Sequence, residues 1–540
     1  MVKNKKTSLT IKTGNIEFSK SVLISITIML LLVATLSSVS FSLAQTFEGT
    51  KPLNSLNASQ TIQVIPTPYV KEYALPNGTW PNGILVDSGG TVWTVGTKSH
   101  TLISFDPING KMLSSYILKS QDFIHDSKRS RTGVNMVWAM VEGKDGSIWF
   151  SQADSSSPLW RFDPTTLKFQ TFRSITGAPF QMKLDNNTGN IWFTTFAAGT
   201  VGLVQKYEGN STYNSNQSNY QVTEFPLGKS SYPSGLFLNG DSVWVTQTLD
   251  DKVIQFRMVK DAHGKVINIL KVLEIQGSEN KKLFLSPYDV VALDSRLWIT
   301  EHDANFITGY DRVSKSATRF AVSSNPHQYI SLPFWLREGV NGSGLWFNEH
   351  TGNRIAFINT TDLGLTEYEI PTRNPSTGFI SNVLNFAVDP QDRNRVWFSE
   401  YNYDKIGVIN RDIPIPFGIK SVQRNIVMSS SGPSQSKPTT VNIEIIPKPI
   451  NSSSGSINTR VDTLSFKTSS SMTAFGSLKN ITTEFSPTAL NLSGLTENIP
   501  LQLQLRFEEG KQIASGNYTI GVSATDGTVT RTNFVNLIVK

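Results

Sequence analysis

A tryptophan followed by a β-forming residue, a small polar residue and, in its strongest copies, a glutamate recurs along this chain. The strong copies are Trp298-Ile299-Thr300-Glu301, Trp346-Phe347-Asn348-Glu349 and Trp397-Phe398-Ser399-Glu400. Weaker ones stand at Trp93-Thr94-Val95-Gly96, Trp149-Phe150-Ser151-Gln152, Trp192-Phe193-Thr194-Thr195 and Trp244-Val245-Thr246-Gln247. The seven tryptophans lie 43 to 56 residues apart, the period of propeller blades. Repeats of this kind build a shared core, so the chemistry has to lie in what they do not share.

The first copy shows the full unit. Pro81 to Asp87 reads as an inner strand, Ser88-Gly89-Gly90 as a tight turn and Thr91 to Val95 as a second strand. Leu102 to Phe105 and Met112 to Leu118 supply two more, and four antiparallel strands make one blade. Later copies open near Val137, Pro179, Pro233, Pro287, Pro333 and Val383. The seventh is broken by Pro414-Ile415-Pro416 where its fourth strand should come, and Tyr69 to Leu75 is the best replacement. Its Lys71-Glu72-Tyr73 resembles Thr366-Glu367-Tyr368 in an outer strand, and closure of this sort would hide the ring's open edges. After about Lys420 the tryptophans stop, and about seven short alternating strands fit a second, sandwich-like domain. The expected fold is all-β: a seven-bladed β-propeller over 68–418 and an immunoglobulin-like β-sandwich over 419–540.

Composition agrees, with only 17% charged and 10% aromatic residues in a Thr-, Ser-, Asn- and Gly-rich sequence. Of the net charge of +7, +4 falls in the first twenty residues, ahead of an apolar run from Val22 to about Ala34 and a small-x-small site at Ser42-Leu43-Ala44. Residues 1–44 therefore read as a signal peptide or membrane anchor, 45–67 as a linker, and the rest as exported to the cell surface or secreted. The chain has no cysteine, which removes disulfides, thiolate metal sites and cysteine nucleophiles. Asn-x-Ser/Thr sequons at Asn57, Asn77, Asn210, Asn216, Asn341, Asn359, Asn451, Asn480, Asn491 and Asn517 are compatible with glycosylation. No phosphate loop, nucleophile elbow or Lys/Arg run interleaved with aromatics appears, so neither a nucleotide cofactor nor nucleic acid is expected.

Antiparallel pairing places the residue after each Trp-x-x beside the residue after each opening proline, at one mouth of the central channel. The first ring of positions reads Gly96, Gln152, Thr195, Gln247, Glu301, Glu349, Glu400, with His302 and His350 directly after two of the acids. Carboxylates and imidazoles converging there could hold Mg²⁺ or Ca²⁺, or fasten blade to blade as structural acceptors. The second ring reads Asn82, Trp138, Phe180, Ser234, Tyr288 and Phe334, with Leu384 or Asn385 in the seventh copy. Its aromatics suggest either a ligand surface or a plug in the channel. His100, His125, His263 and His327 have no repeat-linked partners and read as surface residues.

Pro81-Asn82-Gly83-Ile84 with Gly90-Thr91-Val92-Trp93, and the run Trp346 to Ile355, resemble blades of the streptogramin B lyase (virginiamycin B lyase) family over residues 68 to 415. The resemblance implies a seven-bladed propeller and a Mg²⁺-dependent elimination that opens a cyclic depsipeptide at its ester. It also implies second-strand glutamates at Glu301, Glu349 and Glu400 around the metal. The family's base histidines come directly after the opening proline, where this chain has Tyr288 and Phe334, preceded by Ser286 and Leu332. His302 or His350 would have to act as acid or base instead. The segments Glu484 to Pro487, Gly516 to Thr519 and Gly527 to Thr530 resemble immunoglobulin-like modules of exported prokaryotic proteins. Two functions remain open. One is a binding protein that takes a small molecule, peptide or glycan at Asn82, Trp138, Phe180, Tyr288 and Phe334 and is held at the cell envelope. The other is a metal-dependent lyase or hydrolase of esters or lactones.

Overall fold

The computed structural model describes residues 63–64, 66–118, 136–153, 158–172, 175–206, 219–228, 231–277, 282–323, 331–339, 342–374, 379–429, 438–448, 463–473 and 476–540. The leader 1–44, most of the linker, His125, His327 and the sequons at Asn57, Asn210, Asn216, Asn341 and Asn451 lie outside them. Among the described residues no helix is long and apolar enough to cross a membrane.

Seven antiparallel blades of four strands each lie between residues 70 and 410, six of them as separate four-stranded sheets and the sixth blade as part of a larger sheet. Their inner strands are Pro81–Val86, Met140–Glu142, Gln181–Leu184, Pro233–Asn239, Pro287–Leu293, Pro333–Glu338 and Phe386–Val388. Each inner strand touches the next and the seventh touches the first, so the sheets close into a seven-bladed propeller. The second strands carry the tryptophans, and those of blades two to seven are at most 2% exposed. They cement neighbouring blades: Trp397 of blade seven meets Phe105 of blade one edge-on at 5.9 Å, and Trp93 meets Phe162 of blade two at 5.7 Å. Burying one such side chain stabilises the fold by about 3 kcal/mol.

In blades three to seven the small polar residue two places after the tryptophan fastens one blade to the next. Blade one has Val95 there, and Ser151 of blade two accepts from Trp138 N and Ala139 N of its own blade. Thr194, Thr246, Thr300, Asn348 and Ser399 donate to the backbone oxygens of Ser234, Tyr288, Phe334, Val383 and Asn82 at 2.7 to 2.9 Å. The last of these bonds runs from blade seven to blade one. Each deeply buried carbonyl therefore has a donor, which a purely apolar seam would deny it.

Blade seven is completed by Val70–Ala74, which pairs antiparallel with Lys405–Asn410, Tyr73 opposite Ile406. This is the closure that the Lys-Glu-Tyr likeness suggested. Glu72 then accepts from the backbone and hydroxyl of Thr372, at 2.9 and 2.6 Å, and from Lys405 at 2.8 Å. The linker reading needs one correction: Gln63–Val64, expected to be irregular, pair with Thr372–Asn374 in a small three-stranded sheet.

The C-terminal residues form two sheets packed on a common apolar core that includes Val441, Ile443, Leu501, Leu503, Val522 and Leu537. One sheet holds Phe417–Ser421, Thr439–Pro447, Ile499–Phe507 and Ile481–Ser486. The other is built on Leu464–Ser470, Gly516–Thr525 and Val529–Val539. The sequence suggested a separate module, but Val529–Val539 pairs with Leu365–Glu369, the outer strand of blade six, in one nine-stranded sheet. Phe534 also meets Phe320 of blade five at 5.1 Å. A strand edge carries no residue-type signature for its partner, which is why alternation alone did not reveal the join.

Candidate functional site

The inner strands of blades one, four, five and six begin with a bulge. Pro81, Pro233, Pro287 and Pro333 face Gly96, Gln247, Glu301 and Glu349, and regular pairing resumes only three residues later. Proline lacks the donor for the ladder, so it suits this first position, and the extra residue re-aims the next side chains toward the axis. Trp80, Tyr232, Ser286 and Leu332 before these prolines take positive φ of 43 to 50°. That conformation is costly for such residues. It is held by hydrogen bonds such as His302 N to Ser286 O at 3.1 Å.

Aromatics from the bulged strands of blades five and six, with Trp138 and Phe180 from the unbulged blades two and three, fill the channel. Tyr288 and Phe334 lie 4.6 Å apart, Phe180 lies 5.7 Å from Tyr288 and 5.2 Å from Trp138, and Trp335 packs 4.5 Å from Phe334. Phe180, Tyr288 and Phe334 are buried and Asn82 is fully so; only Trp138 of the five candidate ligand residues is partly exposed. Reading them as an open ligand surface is therefore corrected: seven inner strands leave a bore that these rings occupy, and ring-on-ring contact stabilises the plug.

His302 and His350 cap this plug. Their Nε2 atoms are 3.1 Å apart and their rings are stacked at 15°. Tyr288 stacks on His302 at 4.7 Å, and Phe334 meets His350 edge-on at 5.3 Å. Asp303 Oδ1 lies 2.7 Å from His302 Nδ1, while its Oδ2 accepts from Ser286 Oγ at 2.8 Å. His350 Nδ1 faces Asn382 Oδ1 at 3.4 Å. All four ring nitrogens are thus engaged within the protein. Burial first, then the neighbouring His302, depress the His350 pKa to about 3, so this imidazole is neutral near pH 7.

The three glutamates do not meet. Glu301 accepts from Leu285 N at 2.9 Å, from the Thr308 hydroxyl and from Arg319 Nε at 2.9 Å. Glu349 pairs with Arg354 at 3.0 Å through Oε2, its buried Oε1 has no hydrogen-bond partner among the described residues, and Glu367 is a neighbouring carboxylate. Glu400 accepts from Ser381 Oγ at 2.7 Å and neighbours Glu72 and Lys405. Glu301 and Glu400 bond the connector entering their own blade directly, while Glu349 reaches it through Arg354, which donates to Ser323 O. Among the described residues no group of three His, Asp or Glu side chains could hold a metal ion. The residues at these positions do not fit Mg²⁺ or Ca²⁺, because the carboxylates are separated and each lies beside a cation of the chain. The expected metal set Glu301, Glu349 and Glu400 is corrected accordingly. The sequence carried an overlooked signal: Arg354 and Lys405 each stand five residues after a glutamate, directly across the hairpin from Glu349 and Glu400.

These groups set a pH dependence. Burial, then Glu72, raise Glu400 to about 8; burial, then Glu367, raise Glu349; burial also raises Glu301 despite Arg319. A carboxyl whose pKa is raised in the fold binds more protons folded than unfolded, so its contribution is lost as pH rises toward the folded value. His350 works in the opposite sense, but only below its ordinary value of 6.5. The thermal midpoint should therefore fall between pH 6.5 and 8, and Glu400→Gln should reduce that fall. A midpoint that rises across this interval, or a slope unchanged in the variant, would contradict the assignment.

Among solved structures, the chain is similar to a streptogramin B lyase at 20% identity, over 63% of this chain and 97% of that one, with a TM-score of 0.47. Virginiamycin B lyase from Staphylococcus aureus matches at 21% identity over 63% and 98%, with a TM-score of 0.47. A catalytically inactive variant of that lyase with quinupristin matches at 20% over 63% and 98%, with a TM-score of 0.46. No known family description and no curated protein matches the sequence.

Proposed function

We propose that this chain is a non-catalytic binding protein of the cell envelope, exported by its N-terminal segment and built on a lyase-like propeller. The observation that carries the reading is the engagement of every ring nitrogen of His302 and His350 inside the protein. A general base needs a free nitrogen within reach of the substrate proton. Tyr288 and Phe334 at the positions of the lyase-type histidines pack against this pair and supply no base near pH 7. A small molecule, peptide or glycan would then be bound and released unchanged.

The test combines metal add-back with a search for turnover. After chelation, thermal unfolding should show no specific shift with Mg²⁺, Ca²⁺, Mn²⁺ or Zn²⁺, since an ion bound to the native state raises the midpoint by mass action. Cyclic depsipeptides and lactones incubated with the protein and Mg²⁺ should be recovered intact by mass spectrometry. Chelator-sensitive ring opening that disappears in His302→Ala would replace this reading with the metal-dependent lyase.

A further inference from the structure

The aromatic plug closes only one end of the channel. Beyond a layer where Asn385 Nδ2 donates to Asn82 Oδ1 at 3.2 Å, the later halves of the inner strands surround a cavity of about 330 Å³. Pro390 and Arg393, in the turn between the first two strands of blade seven, lie on its rim. It therefore opens on the face opposite the plug.

The ring position directly across from each repeat tryptophan reads Leu85, Val141, Lys183, Phe237, Val291, Arg337, Ala387. Five are apolar and two are cations, so here the repeats differ in charge as well as size. Arg337 is compensated: its Nη1 lies 3.3 Å from Asp289 Oδ2, and its guanidinium sits over the rings of Trp335 and Phe386 at 5.7 and 5.6 Å. Lys183 is half-buried and lines the cavity, and among the described residues its ammonium makes no hydrogen bond or ion pair. Burial and the facing Arg337 lower its pKa to about 8, against the pull of Asp289 and Glu338, so it remains a cation near pH 7. An ammonium removed from bulk water without a counter-ion is costly, and a ligand that brings one removes that cost.

We propose that this cavity binds a small organic monoanion, a carboxylate carried on an apolar or aromatic body, with Lys183 as its counter-ion. The lining supports both halves of that ligand. Among the described residues the lining carries Lys183, Arg337 and Arg393 against Glu338, and with Asp289 behind Arg337 this leaves an excess of one positive charge. Met140, Met182, Phe237 and Phe386 supply the apolar wall. Small-molecule sites combine such a wall with a few polar anchors in about 300–1,000 Å³. The inference rests on the binding-protein reading and moves the ligand from the plugged end to the open one.

Calorimetric titration of the full chain with phenylacetate, 3-phenylpropionate, hexanoate and the neutral phenylacetamide tests it. Saturable binding of at least one carboxylate, about tenfold or more weaker in Lys183→Met, restored in Lys183→Arg and absent for phenylacetamide, is the expected result. Lys183→Met should melt no lower than the parent, because it removes an unpartnered cation. Binding indifferent to Lys183→Met, equal affinity for the amide, or no saturable binding by any carboxylate would overturn the site. Chemical conversion of a bound carboxylate, detected by mass spectrometry, would instead overturn the non-catalytic reading while leaving the site standing.

Discussion

Arg354→Met should lower stability by about 3–5 kcal/mol, the cost of leaving buried charge uncompensated. Arg354 is nearly inaccessible and bonds Glu349 at 3.0 Å, Glu369 at 2.6 Å and the backbone oxygen of Ser323 at 2.9 Å. Glu367 adds a third carboxylate within its field. Methionine fits the space but supplies no charge, so these carboxylates must take up protons or water must enter. Arg319→Met in blade five offers the comparison, since Arg319 is partly exposed and its one carboxylate, Glu301, keeps two other donors. Urea unfolding monitored by tryptophan fluorescence should rank Arg354→Met well below Arg319→Met. Adding Glu349→Gln to Arg354→Met should recover part of the loss. Equal midpoints for the two single variants would show that the blade-six cluster is not the more tightly coupled one.

Removing Tyr69 to Leu75 should have a still larger effect, because it opens the ring. Tyr69, Val70 and Leu75 are each at most 8% exposed, and burial of three such side chains stabilises by roughly 5–8 kcal/mol. Tyr73 is lost with them; it stacks on Trp397 at 5.7 Å and meets Phe105 at 5.0 Å, across the seam between blades seven and one. The strand Lys405–Asn410 would become an unpaired edge, a template for association with other chains. Limited proteolysis should cleave the shortened protein between blades seven and one, and size-exclusion chromatography should show assemblies absent from the parent. A synthetic peptide of residues 68–76 should reverse both. A shortened protein as resistant and as monomeric as the parent would mean that the seam closes without this strand.

Much of this architecture could be read from the sequence because burial selects residue types. Trp93 through Trp397 recur where seven equivalent seams each need a large ring, and Glu72-Tyr73 repeats Glu367-Tyr368 because both make the same outer-strand contacts. The plug was half legible: four aromatics at equivalent positions announced a cluster, but residue type does not say whether rings face solvent or one another. The glutamates misled for a physical reason. A buried carboxylate beside an arginine and one beside a metal leave the same letter in the sequence, and the deciding cation, Arg319, comes from eighteen residues away on the outermost strand. Lys183 went unnoticed because Gln-Met-Lys-Leu is an unremarkable short strand. Its significance appears only when the seven positions opposite the tryptophans are set side by side.

The sheet shared by blade six and the C-terminal domain bears on how this chain would carry mechanical load. Val529–Val539 is paired along its length with Gly516–Thr525 and, over Leu365 to Tyr368, with the propeller itself. A pull applied at the C-terminal end enters the ring through rows of hydrogen bonds rather than through a pliable hinge. If tension runs along that strand, the bonds resist in shear and have to break together. The propeller's orientation is then set by the domain it is joined to, and the open cavity would keep a fixed aspect even on a protein tugged from its far end.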